Sequence, residues 1–224
     1  MGQYCRQFYM DLYTPEPTDL EATSTLLQSI STRPKLTQED NDSLLAPISM
    51  EGLETLMDHS PRGRSPGQDG LPFELYFLLL THRSTANLLL QVINDALAYG
   101  AFPKSWFHTT MVLLFKKGDT DLLANWRPLS LINCDAKLFT KLIGNRLRPC
   151  LTRLITPYQT GFVHGRFIAD NGLALASIMD HCKAQRGHQV GLLLDQEKAY
   201  DRVHLDTFRA LFKQWVFLKP LFYV

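Results

Sequence analysis

Val190-Gly191-Leu192-Leu193-Leu194-Asp195-Gln196-Glu197-Lys198-Ala199-Tyr200-Asp201-Arg202 is the stretch on which the reading of this 224-residue chain turns. Residues 190–194 are a short apolar run that predicts a buried strand, and the run ends on a carboxylate, Asp195. A carboxylate at the C-terminal end of a buried strand, followed by a turn, is where sheets of mixed folds expose catalytic groups. A hard divalent cation such as Mg²⁺ takes one or two carboxylates plus substrate phosphates as ligands, so Asp195 is the first candidate metal ligand. The plainer alternative is that Asp195 caps the next turn.

Working back from that stretch, residues 170–186 read as a helix closed by Gly187. Before it lies a loop over 156–166 with Pro157, Gly161 and Gly165. Residues 135–148 carry a helical pattern with Leu138, Phe139, Leu142, Ile143 and Leu147 inward and Lys137, Lys141, Asn145, Arg146 and Arg148 outward, and Pro149 kinks or stops it. The run Met111-Val112-Leu113-Leu114-Phe115 predicts a buried strand leading into Lys116-Lys117-Gly118-Asp119, and a second short strand is expected over 129–132. Helices are expected over 71–80 and 84–99. The second has Leu89, Val92, Ile93, Ala96 and Leu97 on one stripe and stops at Gly100. The segment Pro61-Arg62-Gly63-Arg64-Ser65-Pro66-Gly67-Gln68-Asp69-Gly70 is a loop, because its glycines and prolines suit no element interior. The first sixty residues read as short helices joined by Pro-containing linkers. In one of them Ser49 is the cap and Leu53, Leu56 and Met57 form the inner face.

Composition narrows the class. A chain 45% hydrophobic and 20% charged buries a sizeable core, which excludes a disordered tail. No run of roughly 18 apolar residues is present and the first residues form no signal peptide, so the chain is expected to be soluble and intracellular, cytoplasmic or nuclear, and not secreted. The four cysteines Cys5, Cys134, Cys150 and Cys182 lie far apart and read as reduced thiols, and the seven histidines show no metal-ligand spacing. Net charge is +1 overall, but residues 1–60 hold three Lys/Arg against ten Asp/Glu, and residues 61–224 hold twenty against twelve. Any polyanion is therefore expected on the later part.

Four blocks stand in order: Ser65-Pro66-Gly67-Gln68-Asp69-Gly70, Arg127-Pro128-Leu129-Ser130-Leu131, Gln159-Thr160-Gly161-Phe162, and Asp195-Gln196-Glu197-Lys198-Ala199-Tyr200-Asp201. Together they resemble the reverse transcriptase of non-LTR, LINE-type retrotransposons, over about residues 61–212. The resemblance implies an α+β fold: a mostly helical fingers region with short strands, then the first strand and helix of a right-hand polymerase palm. It divides the chain into an acidic helical lead-in over 1–60, fingers over 61–189, the beginning of the palm over 190–213, and a divergent apolar tail over 214–224. The activity implied is RNA-directed DNA polymerisation, with an RNA template, a DNA primer and deoxynucleoside triphosphates as partners and Mg²⁺ as cofactor.

Residue by residue, Asp195 matches the family's first palm aspartate, a ligand of both metals in two-metal phosphoryl transfer. Tyr200 matches the aromatic steric gate that excludes a ribose 2′-OH, with a plain core aromatic as the alternative. Lys116 or Lys117 and Arg127 resemble the residues that clamp the triphosphate, since a guanidinium grips phosphate bidentately and a lysine acts as a point charge. Gln159, Gly161 and Phe162 look like the loop that approaches the template–primer backbone. Arg62, Arg64, Lys137, Lys141, Arg146, Arg148 and Arg166 are candidates for sequence-independent phosphate contacts.

The chain departs from the family in one chemical respect: no Asp-Asp dipeptide occurs, so the aromatic-x-Asp-Asp carboxylates are lacking. With one palm carboxylate the two-metal cage is incomplete, and these 224 residues are expected to be a fragment that is inactive alone. Two other classes are weighed beside this reading. One is a non-catalytic nucleic-acid-binding remnant using the basic surface. The other is a Mg²⁺-dependent nuclease using Asp195, Glu197 and Asp201.

Overall fold

The computed structural model describes residues 2–30, 34–185 and 190–215. Four helices precede the loop at residue 61: α1 (Gly2–Tyr13), α2 (Leu20–Ser29), α3 (Gln38–Leu45) and α4 (Met50–Asp58). Their starts are chemically marked. Asp19 accepts from Ala22 N at the head of α2, and Thr37 and Asp40 form a reciprocal capping box on α3. Ser49 Oγ accepts from Gly52 N at 3.1 Å on α4, whose Leu53, Leu56 and Met57 are all buried as their spacing predicts.

α5 (Phe73–Leu80) and α6 (Arg83–Tyr99) follow, and α6 ends as expected at Gly100, in the left-handed region at φ 64°. α7 (Cys134–Leu154) is the central helix. Pro149 does not stop it: the helix runs on for five residues. Its last turn is held by burial of Cys150 and Leu154 against Leu36 and Leu44, so tertiary packing outweighs the hydrogen bond that proline removes.

One core joins α4, α5, α6 and α7: Leu53, Leu56, Met57, Phe73, Tyr76, Ile93, Ala96, Leu97, Leu138, Phe139 and Leu142 form a contiguous cluster. Residues 48–57, 73–106 and 134–142 thus share one interior. Phe139 is its aromatic hub, 5.6 Å from the ring of Phe102 and 5.2 Å from that of Trp106. Cys134 and Cys150 are buried thiols, Cys5 and Cys182 are half-buried, and all four are free.

The loop at 61–70 is set by two glycines with different duties. Gly70 adopts φ 72° in a turn closed by its N–H to the Gly67 carbonyl at 3.2 Å. Gly67 lies against the start of α7, where a Cβ would sit 2.4 Å from the backbone nitrogen of Asn133 and 2.6 Å from its Cα. Asn133 is itself buried and donates to the Ser105 carbonyl. Gly67→Ala is therefore expected to lower stability by about 1–3 kcal/mol through overpacking against backbone. A urea titration showing no fall in midpoint would refute this.

β1 (Thr110–Phe115) and β2 (Trp126–Leu131) pair antiparallel, with Thr110 opposite Leu131 and Phe115 opposite Trp126. β1 stands where its apolar run places it, and β2 starts three residues before the expected 129, but β1 is not buried. Val112 and Leu114 are exposed because their face of the ribbon is not the one α1 meets. Met111 and Phe115, on the α1 face, stay partly exposed because α1 covers it only through a shallow cleft at Met111 and Leu113. The strand expected over 190–194 does not form. Its residues are irregular and Leu192, Leu193 and Leu194 are each about 80% exposed, since no described segment offers them a hydrogen-bonding partner.

α8 (Ala169–Ala184) buries none of its residues, and Gly187, expected to close it, lies outside the described residues. α9 (Leu205–Gln214) matches the helical expectation after the Asp195 segment, with Phe212 and Trp215 against the Leu36–Leu154 cluster. No helix among the described residues is long and apolar enough to cross a membrane.

Candidate nucleotide and nucleic-acid site

Three chain segments carry the candidate residues. The first is the hairpin. The turn from Lys116 to Asn125 is folded rather than slack: Lys116 N donates to the Asn125 carbonyl at 2.9 Å, Asn125 Nδ2 to the Asp119 carbonyl at 2.8 Å, and Trp126 Nε1 to the Thr120 carbonyl at 2.9 Å. Gly118 takes φ 91° beside Asn125, a position closed to other residues.

Side chains alternate along each strand, so Arg127, opposite Leu114, shares the outer face with Val112 and Leu129. Met111 and Leu113 point to α1. Carried one residue past β1, where Lys116 N still pairs with the Asn125 carbonyl, the alternation puts Lys116 on the face of Arg127. Lys116, Lys117 and Arg127 are all exposed.

The second segment is the loop at 156–168, which Arg166 organises. Its Nη1 donates to the carbonyls of Thr156 (2.5 Å) and Gln159 (2.6 Å), and its Nη2 to those of Thr152 and Ile155 (both 3.1 Å). Four of five guanidinium protons are thus committed to backbone, so Arg166 shapes this loop rather than waiting for a phosphate. Gln159 Nε2 donates to the Gly161 carbonyl at 2.9 Å. Phe162 sits fully exposed at φ 61°, a strained conformation for an aromatic residue held open by that scaffold.

The same economy recurs along α7, where cations expected to face outward turn back onto carbonyls. Lys137 donates to the Ser65 carbonyl at 2.8 Å, and Arg146 to that of Leu44 at 3.0 Å. Lys141 donates to the carbonyls of His59 and Leu56 and to Ser60 Oγ, tying the end of α4 to α7. Partial burial lowers the pKa of both Lys141 and Arg146. Arg62 lies over the Phe77 ring at 4.6 Å, and Arg148 makes only a 3.4 Å bond to Asn145 within its own helix. Of the seven cations expected to meet phosphate, Arg64 and Arg148 are the most available.

The third segment holds Asp195 and Tyr200. Asp195 is exposed and has no hydrogen bond or ion pair with the described residues. Tyr200 is 84% exposed and not a core aromatic. Asp201 accepts a hydrogen bond from Tyr13 Oη at 3.2 Å, and Lys198 Nζ lies 4.7 Å from the centre of the Phe8 ring. Burial first, and then the charge of Asp201, push the Tyr13 phenol up to about 12. Nothing in the sequence signals this pairing, because it joins residues 188 positions apart.

No group of three or more His, Cys, Asp or Glu able to hold a metal occurs among the described residues. This disfavours the nuclease arrangement of Asp195, Glu197 and Asp201. Asp195 fits a divalent cation as one carboxylate ligand, not as a complete cage.

Residues 115–219 match the family model described as reverse transcriptase (RNA-dependent DNA polymerase). The chain is 34% identical over 199 residues to the transposon TX1 uncharacterized 149 kDa protein of Xenopus laevis, covering 88% of this chain and 15% of that protein. It is 28% identical over 162 residues to the RNA-directed DNA polymerase from mobile element jockey of Drosophila melanogaster, covering 71% and 18%. It is 27% identical over 148 residues to the Pol polyprotein from type-1 retrotransposable element R2 of Popillia japonica, covering 66% and 20%. The chain thus spans a fifth or less of the length of these relatives.

Proposed function

Because this chain belongs to the reverse transcriptase family of the LINE type, matched over residues 115–219, we propose that it supplies the fingers and the first palm segment of an RNA-directed DNA polymerase. The observation that carries this reading is the hairpin. Arg127 and Lys116, both within the matched residues, stand exposed on one face of a ribbon whose turn is closed by hydrogen bonds. A fork of fixed donors beside a point charge is the chemistry a triphosphate needs.

In this reading residues 61–189 are the fingers, with α3 and α4 packed onto them, and residues 190–213 begin the palm. Arg127 and Lys116, or Lys117 beside it in the turn, orient the β- and γ-phosphates of the incoming deoxynucleotide. Tyr200 blocks the space of a ribose 2′-OH. Asp195 would be one shared ligand of two divalent cations, Mg²⁺ in this proposal, of which one would activate the primer hydroxyl and the other would neutralise the leaving pyrophosphate. The loop of Gln159, Gly161 and Phe162, shaped by Arg166, lies along the template–primer, with Arg64 and Arg148 adding phosphate contacts.

The purified 224 residues are expected to bind an RNA/DNA template–primer without extending it. Affinity should fall by about 10- to 50-fold between 50 and 200 mM salt, as about three phosphate contacts require. Arg64→Ala with Arg148→Ala should weaken it further and flatten that dependence. Fluorescence anisotropy measures both. Absent binding, or binding indifferent to salt and to these substitutions, would remove the reading, and metal-dependent extension abolished by Asp195→Ala would overturn the expected inactivity.

A further inference from the structure

The N-terminal helix touches both halves of the proposed site. On one side Cys5, Arg6, Tyr9, Met10 and Tyr13 line a shallow apolar cleft of about 450 Å³ shared with Met111 and Leu113 of β1. On the other side the same helix reaches the turn that follows Asp195. Tyr13 Oη donates to Asp201, and Phe8 lies under the Lys198 ammonium. The three aromatic rings form one row: Phe8 meets Tyr9 edge-on at 5.1 Å, and Tyr9 stacks with Tyr13 at 6.0 Å.

The turn gripped in this way is conformationally special. Lys198 takes φ 49°, in the left-handed region, and its carbonyl accepts from Arg202 N at 3.1 Å. A non-glycine residue persists there only when its surroundings hold it. α1 holds Lys198 and Asp201, and leaves Asp195 and Tyr200 facing solvent.

We infer that α1 is a positioning strap: Tyr13 and Phe8 fix the Asp195–Tyr200 segment relative to the Lys116/Arg127 hairpin. They are positioning residues, acting through Asp201 and Lys198. The functional meaning of the strap rests on the polymerase reading above, whereas its existence does not. Without it, an irregular segment with no sheet partner among the described residues would sample many placements relative to β1 and β2, and a carboxylate misplaced by an ångström serves phosphoryl transfer poorly.

The test measures placement directly, in the full chain. Spin labels go on cysteines introduced as Arg127→Cys and Asp195→Cys, with Cys5→Ser and Cys182→Ser removing the partly accessible thiols. Electron–electron distance distributions are then compared for Tyr13, Tyr13→Phe, Phe8→Ala and both together. The strap predicts a narrow distribution with Tyr13 and Phe8 present, at least twofold broader with either substitution, and no further broadening when Tyr13→Phe is combined with Asp201→Asn. Amide exchange over 196–202 should rise severalfold in Tyr13→Phe, while exchange in α7 stays unchanged. Tyr13→Phe deletes only a hydroxyl, so the fold survives the test. An unchanged distribution in the Tyr13→Phe, Phe8→Ala chain overturns the strap, and so does broadening matched by faster exchange in α7, which marks global loosening. Failure of template–primer binding would strike the polymerase reading and leave this result standing.

Discussion

Phe139→Ala is expected to cost the protein about 3–5 kcal/mol. The ring is 1% exposed, sits in the middle of α7, and touches Phe102 and Trp106 while packing into the same cluster as Ile93 and Leu138. Removing it leaves a cavity bounded by four helices that cannot all collapse into it. Against a total stability of roughly 5–15 kcal/mol, that loss brings the folded state near its limit, and the melting temperature should drop by about 10 °C or more. Urea unfolding checks it: the midpoint falls while the slope holds. A cost below about 1 kcal/mol would show that the aromatic cluster is not the hub of this core.

The second large effect concerns chemistry. Asp195→Asn keeps size and polarity but removes the negative charge that a divalent cation needs. Grafted into an active frame, with the 162 matched residues of the jockey polymerase replaced by the aligned part of this chain, the substitution is expected to lower nucleotide incorporation by about 10³-fold, or ~4 kcal/mol of barrier. Template–primer affinity should stay within about twofold, because Asp195 makes no contact that organises the fold among the described residues. Equal loss of binding and incorporation would make Asp195 a structural residue. Single-turnover incorporation beside equilibrium binding separates the two.

Much of the scaffold was legible in the residues, for local reasons. Ser49 ahead of Leu53, Leu56 and Met57 announces α4, and Gly100 after a clean stripe announces the end of α6, because capping and periodicity depend on neighbours within a turn or two. The hairpin lies where two apolar runs flank a polar turn. What could not be read is partnership. An apolar run says that a segment is able to be a strand, not that another strand lies beside it, so β1 proves exposed and 190–194 unpaired.

Cations are misread for a related reason. Lys141 and Arg146 stand at outward positions of α7, yet their long stems carry the charge back to carbonyls of α4 and α3. Arg166 likewise organises its own loop. In the candidate triphosphate site, alternation along β1 puts Lys116 on the face of Arg127. The contacts of Tyr13 and Phe8 with the Asp195 segment leave no local trace at all.

The account stands most directly on one measurement: RNA-templated, metal-dependent nucleotide incorporation by the jockey polymerase bearing this chain in place of its matched region, with the unaltered polymerase in parallel. It predicts templated deoxynucleotide addition that Asp195→Asn abolishes and that Lys116→Ala with Arg127→Ala slows through a raised nucleotide KM. A graft that binds template–primer yet incorporates nothing, or one whose incorporation survives Asp195→Asn, would contradict it.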